Sequence, residues 1–250
     1  MRVLPVNINR NTNPSHKANN RWVTDKLGNK LYMTSTVFFR DDVIWEDLIK
    51  YLCERYKNVP KVNFVNYACS NGMETLSFAM SFLMYAPEEF KKFTPIIAKD
   101  INEDNILMAK QGVYKRYIDA FLRMQRITNK KCQKYLDVAL CPNDDRLLSV
   151  SPKKILTDNI IYKQGDIFED IENIPKYNTF LTCRNFWQYI SFERKSELAK
   201  RLSKRLNPSS IIMLGECDVV EGRADLHLEL NGFKRCPCGM TCKNILYSKG

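Results

Sequence analysis

The chain reads as one α/β domain: a mostly parallel sheet covered by helices on both faces, with a small β insertion. Three observations predict this. From Val62 onward, short β-rich apolar runs alternate with helical stretches, the pattern of successive strand–helix–strand units. The 250 residues, 44% hydrophobic and 27% charged, suit one medium-sized domain with a real core and exclude wholesale disorder. The alternation breaks once, at about 130–159, where Pro142, Asn143, Asp144, Asp145 and Pro152 surround short apolar runs. A hairpin-like β-subdomain inserted between two sheet strands accounts for that break.

Taken in order, residues 1–33 are rich in Asn, Lys and Arg with weak periodicity and are expected to form an irregular arm; the domain is expected over 34–250. From Asp41, the residues Val43, Ile44, Leu48, Tyr51, Leu52 and Tyr56 recur at helical spacing. Asp41 or Asp42 is the expected N-cap, and Pro60 stops the helix. Val62–Tyr67 predicts a strand, Glu74–Tyr85 a largely apolar helix, Pro95–Lys99 a second strand, and Glu103–Gln111 a second helix. Ile160–Lys163, Thr179–Cys183 and Ile211–Gly215 predict three more buried strands. Between the last two, Ser191 caps a helix with Phe192, Leu198, Leu202 and Leu206 on one face, and Pro208 ends it. After Gly215 the helical signal stops, so Leu226–Leu230 and Asn244–Tyr247 are expected to form a terminal antiparallel pair.

A net charge of +11 predicts an anionic partner. No run reaches the roughly 18–20 apolar residues of a membrane-spanning helix, so no membrane insertion is expected. The opening MRVLPVNINRNTNPSH lacks the apolar centre of a signal peptide. Most of the nine cysteines sit singly in apolar runs, as Cys53, Cys69 and Cys183 do, the usage of a reducing, cytoplasmic location. Cys236, Cys238 and Cys242, with Cys217 as a fourth thiolate, invite a zinc reading, but no standard four-ligand spacing is present. No metal is expected. Nine glycines also disfavour a fold built on long glycine-rich phosphate loops.

In open α/β sheets, ligands bind beyond the carboxyl ends of the strands. The first strand leads into Ala68-Cys69-Ser70-Asn71-Gly72-Met73-Glu74, whose small residues let a ligand approach the backbone. Asp100 follows the second strand, where an acid accepts hydrogen bonds from ribose hydroxyls. Gly165-Asp166-Ile167 follows the third, and Arg184-Asn185-Phe186 the fourth. Acids after three successive strands suit a nucleoside with a cationic or hydroxyl-rich end and repel a polyphosphate. Structural readings stand beside these: Glu74 favouring the positive end of its helix, Asp166 as a turn residue, Arg40 paired with Asp41 or Asp42, and Tyr189 as a core aromatic.

These stretches resemble a family. YACSNGMETLSFAM is similar to the ACSTGEEPYSIAM stretch of the CheR-type chemotaxis receptor methyltransferases, which are protein-glutamate O-methyltransferases. AKDIN followed by AKQGVY, TCRNFWQYISFERKSELAKRL, GECD and the upstream MTSTVFFRDD resemble further blocks of that family, in the right order from Thr34 to Asp218. The resemblance implies a class I, Rossmann-like fold: a mostly parallel seven-stranded sheet with an antiparallel last strand. It implies S-adenosylmethionine as cofactor and S-adenosylhomocysteine as product. Carried over by position, Thr36 and Arg40 lie toward the methionine end and the methyl-transfer centre, Thr34 stands where some members have a cofactor-contacting Asn, Glu74 holds the methionine ammonium, and Asp100 holds the ribose hydroxyls. Asp166 and Ile167 sit beside the adenine, where the family commonly has Asn-Leu, and Asn185 and Phe186 complete the pocket. Arg40 and Tyr189 are the implied catalytic pair.

The chemistry agrees with that transfer. A glutamate carboxylate, with a pKa near 4.3, is already ionised at neutral pH. In-line methyl transfer therefore needs alignment rather than a general base, and His16 and His227 lie outside the similar blocks. Arg40 and Tyr189 would position the incoming carboxylate. The family usually carries an all-helical domain ahead of the first block, where this chain has the polar arm. The expected partner is an acidic segment of an acceptor protein of chemoreceptor-like kind, docking on Lys130, Lys131, Lys134, Lys153 and Lys154 of the insertion; the alternative for these lysines is a solvated face. Two other functions compete: a nucleic-acid methyltransferase, disfavoured because no NPPY-like tetrapeptide is present, and a catalytically silent protein that binds S-adenosylmethionine or a partner.

Overall fold

The computed structural model describes residues 36–237 and 245–250, together with the backbone of two short strands ahead of them. The chain divides into two units, Met1–Ser35 and Thr36–Gly250. In the first, β1 (Trp22–Thr24) and β2 (Lys30–Met33) pair antiparallel. The segment expected to be irregular thus contains a two-stranded ladder. Its strands are only three and four residues long, and the second, Lys-Leu-Tyr-Met, holds a single aromatic and no β-branched residue, too little to stand out from the polar residues around it.

The second unit runs through α1 (Trp45–Arg55), β3 (Asn63–Tyr67), α2 (Met73–Tyr85), α3 (Pro87–Phe90), β4 (Ile96–Asp100) and α4 (Glu103–Gln111). Next come β5 (Tyr114–Tyr117), α5 (Ile118–Ile127), β6 (Leu136–Cys141), β7 (Asp144–Pro152), α6 (Lys154–Thr157) and β8 (Ile160–Gln164). α7 (Ile167–Asp170), β9 (Thr179–Cys183), α8 (Phe192–Arg205) and β10 (Ile211–Met213) follow. The last elements are α9 (Glu216–Val220), α10 (Ala224–Leu230), β11 (Phe233–Arg235) and β12 (Leu246–Lys249).

Seven strands make the main sheet, in the order β11-β12-β10-β9-β3-β4-β8. The ladders from β10 to β8 are all parallel, and β12 runs antiparallel to both of its neighbours. The parallel sheet is the one the strand–helix alternation predicts, and its seven strands with an antiparallel strand at one side are those the resemblance implies. The chain winds outward from β3 through β4 to β8, then returns to β9 and β10 on the other side. The strand order therefore reverses between β3 and β9, which is where such sheets bind ligands.

β3, β9 and β10 are buried on both faces, which is why they read as short apolar-rich runs without polar alternation, Asn66, Thr179 and Thr182 being buried among them. Alternate residues feed two cores. Phe64, Phe180, Ile211 and Met213 enter the core with Phe78, Phe82 and Phe93, whereas Val65, Leu181, Cys183 and Ile212 pack with Leu198, Leu202 and Leu228. In the first core the Phe64 ring lies 4.7 Å from Phe180 and 5.1 Å from Phe78.

Four expectations are corrected. The first helix begins at Trp45, not at Asp41, and its N-cap Ile44 offers no side-chain bond. Asp41 and Asp42 are instead engaged at long range, by Arg123 and Arg184. On α8 the Ser191 cap and the buried face of Leu198, Ala199 and Leu202 are as expected. Phe192, however, is 65% exposed and sets its ring edge-on to His227 at 4.6 Å. After Gly215 the chain forms two helices. Leu226–Leu230 alternates like a strand, yet Ala224, His227 and Leu228 are the buried positions, one helix face, while Leu226 and Leu230 point outward. The terminal antiparallel pair is β11 with β12, not Leu226–Leu230 with the C-terminal run.

The insertion is a three-stranded antiparallel sheet in the order β5-β7-β6. It begins upstream of 130, because the polar Tyr-Lys-Arg-Tyr of β5 pairs with Leu147–Val150 across the whole of α5 and β6. Among the described residues, no helix is long and apolar enough to cross a membrane.

Candidate functional site

The turn that leaves β3 is strained in a specific way. Ala68 has φ 56°, Ser70 φ 51° and Gly72 φ 86°, and left-handed backbone at non-glycine residues persists only where surroundings enforce it. The neighbouring strand does so here. The Cys69 N–H bonds the Lys99 carbonyl at 3.0 Å, and the Ser70 N–H bonds Asp100 Oδ2 at 2.7 Å. Tyr114, from β5, donates its hydroxyl to the Asn71 carbonyl at 2.9 Å. Gly72 then opens α2, with the Tyr162 ring of β8 packed beneath it.

Asp100 is the last residue of β4 and is buried. Besides Ser70, it accepts from the Asn102 N–H at 2.9 Å and from Asn105 Nδ2 at 3.2 Å. Burial still pushes its carboxyl above the ordinary range, because desolvation outweighs those bonds. Ile101, next in sequence, is 48% exposed, an apolar side chain left at the mouth of the same turn. Sequence reading passed over it; an isoleucine directly after a strand-ending acid was the available signal.

Across the switch point, the end of β9 carries Arg184, whose side chain is fully buried. Its Nη1 bonds Glu74 Oε2 at 2.8 Å, its Nη2 bonds Asp42 Oδ2 at 2.6 Å, and its Nε reaches the Leu214 carbonyl at 3.3 Å. Arg40 Nε also approaches Glu74 Oε2, at 3.3 Å. Desolvation opposes the Arg184 charge, but Glu74 and Asp42 raise its pKa regardless. Burial likewise opposes the Asp42 charge, yet Arg184 carries that carboxyl below its ordinary value. Sequence reading noted Arg184 only as the residue beside Asn185. Its partners lie 110 and 142 residues away, beyond any local pattern.

Asn185 follows with φ 60°, and its side chain lies over Gly215, where a Cβ would fall 2.8 Å from Asn185 Oδ1. That buried oxygen has no hydrogen-bond partner among the described residues, nor has Asn71 Oδ1. Asp218 of α9 receives the backbone N–H of Asn185 from beneath, and burial pushes its carboxyl up to about 6.

The structure thus brings Arg40, Glu74, Asp100 and Asn185 to the carboxyl ends of β3, β4 and β9. Thr36 is buried nearby in sequence to Arg40, Phe186 is half-buried against Trp187, and Tyr189 closes a short 3₁₀ turn. Burial raises the Tyr189 phenol. Asp166 caps α7, accepting the Phe168 N–H at 2.9 Å, and Ile167 is buried in the core with Val65 and Tyr67. Thr34 lies outside the described residues, as do Cys238 and Cys242 of the zinc reading; Cys217 and Cys236 are free thiols. Among the described residues no cluster of metal-ligating side chains is present.

The donor set fits S-adenosylmethionine. Asp42, Glu74 and Asp100 outnumber the two guanidiniums of Arg40 and Arg184, so the strand ends carry net negative charge toward a group that would bring an ammonium and a sulfonium. Asp100 offers carboxylate oxygens at the strand end, Gly72 leaves the backbone open, and the unpartnered Asn185 oxygen awaits a donor.

Comparison with known proteins agrees. The family model described as CheR methyltransferase, SAM binding domain, matches residues 34–234. The chain is similar to chemotaxis protein methyltransferase Cher2 of Pseudomonas putida, 23% identical over 196 residues, covering 76% of this chain and 67% of the relative. It is 24% identical over 186 residues to a chemotaxis protein methyltransferase of Campylobacter jejuni, covering 74% of this chain and 64% of the relative. The chain therefore spans about two thirds of the length of the curated relatives it matches. Among solved structures, magnesium protoporphyrin IX methyltransferase (ChlM) from Synechocystis PCC 6803 with bound SAM aligns with 82% of this chain and 78% of its own, at 13% identity and a TM-score of 0.42.

Proposed function

This chain belongs to the CheR methyltransferase family, in its S-adenosylmethionine-binding domain, and on that premise we propose that it O-methylates a glutamate side chain of an acceptor protein. The observation that carries the reading is the joined pair of strained turns at the switch point, with Asp100 and Glu74 fixed at their rims. Asp100 would hold the ribose hydroxyls, Glu74 the methionine ammonium, and Asn185 and Phe186 the far wall. Thr36 would border the methionine end, and Asp166 and Ile167 the adenine end, Ile167 through the shape of the core behind it. Bound there, S-adenosylmethionine supplies a methyl group already activated on a sulfonium.

The chain's own residues then have a positioning task. Arg40 is partly exposed beside Glu74 and would draw the acceptor carboxylate inward, with the Tyr189 hydroxyl orienting it. No group needs to remove a proton, since the carboxylate arrives ionised. The acceptor is an acidic segment of a protein of the chemoreceptor kind. Of the insertion lysines proposed to meet it, Lys131 lies over the Tyr85 ring, Lys134 over the Tyr135 ring, and Lys153 stands 4.0 Å from Asp137. Lys130 and Lys154 supply further positive charge on the same segment.

Calorimetric titration with S-adenosylhomocysteine tests the cofactor site. Wild type is expected to bind, and Asp100→Ala to lose on the order of 10- to 100-fold in affinity, the worth of charge-assisted bonds to a carboxylate. A wild type that does not bind would leave a fold without its ligand, and a partner-binding scaffold would take the place of this reading. Base-labile methyl incorporation into protein then identifies the ester; base-stable methylation of nucleic acid would replace a carboxylate acceptor with another.

A further inference from the structure

One buried carboxylate beside the site has no part in the reading above. Asp218 is fully buried, and three backbone N–H groups converge on it. Oδ2 accepts from Asn185 at 2.5 Å and from Gly215 at 2.8 Å, and Oδ1 accepts from Trp187 at 2.9 Å. Asn185 and Trp187 belong to the turn after β9, and Gly215 to the turn after β10. One side chain therefore ties together two loops that no strand ladder connects at that level.

We infer that Asp218 is a positioning residue for the cofactor site, fixing the Asn185–Phe186 turn against Gly215. The inference rests on the cofactor reading above and adds a residue to it. Asparagine tolerates left-handed backbone better than most residues with a side chain, and at Asn185 the N–H bond to Asp218 selects that conformation and fixes the turn in it. The Asn185 side chain lies so close over Gly215 that a single Cβ would collide with it, so the spacing of the two turns sets where that side chain stands. Phe186 sits between the two amides that Asp218 holds, and its position is fixed from both sides. The sequence motif GECD marks this aspartate, yet only the fold shows what it grips.

The bonding pattern predicts unequal effects of two substitutions. An amide offers one acceptor oxygen, so Asp218→Asn can keep the Asn185 and Gly215 bonds or the Trp187 bond, but not all three. The orientation that keeps two is preferred. Amide hydrogen exchange should then show lost protection at Trp187 in Asp218→Asn, and at all three amides in Asp218→Ala. Affinity for S-adenosylhomocysteine should fall at least tenfold in Asp218→Ala and less in Asp218→Asn. Leu202→Ala serves as the matched control: it opens a cavity in the core beneath the sheet and lowers the melting temperature, but leaves the three amides on Asp218 and should bind as wild type does. If Asp218→Ala does not fold, Asp218→Asn carries the test. Variants that lose protection at these amides yet bind like wild type would overturn the inference alone, as would unchanged protection. A wild type that fails to bind overturns the cofactor reading and this inference together.

Discussion

Replacing Arg184 with methionine is expected to destabilise the fold by about 3–5 kcal/mol, the usual cost of removing one partner from a buried ion pair. The guanidinium is fully buried and joins three elements: Glu74 at the start of α2, Asp42 ahead of α1, and the Leu214 carbonyl at the end of β10. Methionine matches much of its volume but removes the shared partner of two largely buried carboxylates, leaving Glu74 with Arg40 at 3.3 Å. Asp42 keeps only the Glu216 N–H at 3.3 Å. Set against a typical domain stability of about 5–15 kcal/mol, the loss is large enough to read directly from urea denaturation midpoints. Arg184→Lys should recover part of it, because a point charge cannot reach two carboxylates and a carbonyl in fixed fork geometry. A midpoint within error of wild type for Arg184→Met would show that the cluster contributes nothing net to the fold.

The same substitution carries a pH signature. The Asp42 carboxyl lies below its ordinary value of 3.8 when folded. Its contribution is therefore present above that value and lost as pH falls through the lower folded one. Without Arg184, only the Glu216 N–H and the more distant Arg40 charge oppose burial at Asp42, so its pKa rises and the variant gains relief from protonation that wild type does not need. The gap between the two proteins should be widest at neutral pH and narrow as the solution is acidified. A gap that stays constant across the carboxylate range would mean that lost packing, not lost charge, accounts for the deficit.

Arg184 also shows where sequence reading stops. The strands were legible because a strand buried on both faces leaves a short run free of charge and rich in apolar and β-branched residues, as Thr179–Cys183 does. The acids at their ends were legible because the turns after β3 and β4 follow from strand positions alone. A guanidinium whose partners lie more than a hundred residues away leaves no local trace. The opposite failure occurred at Leu226–Leu230, where the local trace existed but was ambiguous. A run of five alternating residues satisfies the period of a strand and one face of a short helix equally well. The start of the insertion was hidden for a third reason. Tyr114–Tyr117 is polar and short, and it becomes a strand only because β7 supplies a partner. In the site itself, their place just after predicted strands pointed to Glu74 and Asp100 and the family resemblance implied their roles, while the backbone strain that shapes the turn between them was invisible until φ was known.

That strain makes Gly72→Ala the second substitution with a large expected effect. Gly72 combines φ 86° with a floor already occupied: a Cβ would lie 2.7 Å from the Tyr162 hydroxyl and 3.0 Å from two of its ring carbons. A side chain at such a backbone angle costs about 1–3 kcal/mol, and forcing atoms into a filled space costs about 1–3 kcal/mol more. The two contributions separate experimentally. The Tyr162 hydroxyl is buried without a hydrogen-bond partner among the described residues, so Tyr162→Phe alone should be nearly neutral. Combined with Gly72→Ala, it removes the closest contact and leaves the ring carbons in place. The double variant should therefore be more stable than Gly72→Ala by a coupling of roughly 0.5–3 kcal/mol, yet remain below Tyr162→Phe. A double-mutant cycle in urea measures this. Strict additivity would assign the whole need for glycine to its backbone angle, and full recovery would assign it to the space above Tyr162. Partial recovery, the outcome the geometry requires, means that this turn is held open from below as well as bent from within, as a surface against which a ligand lies should be.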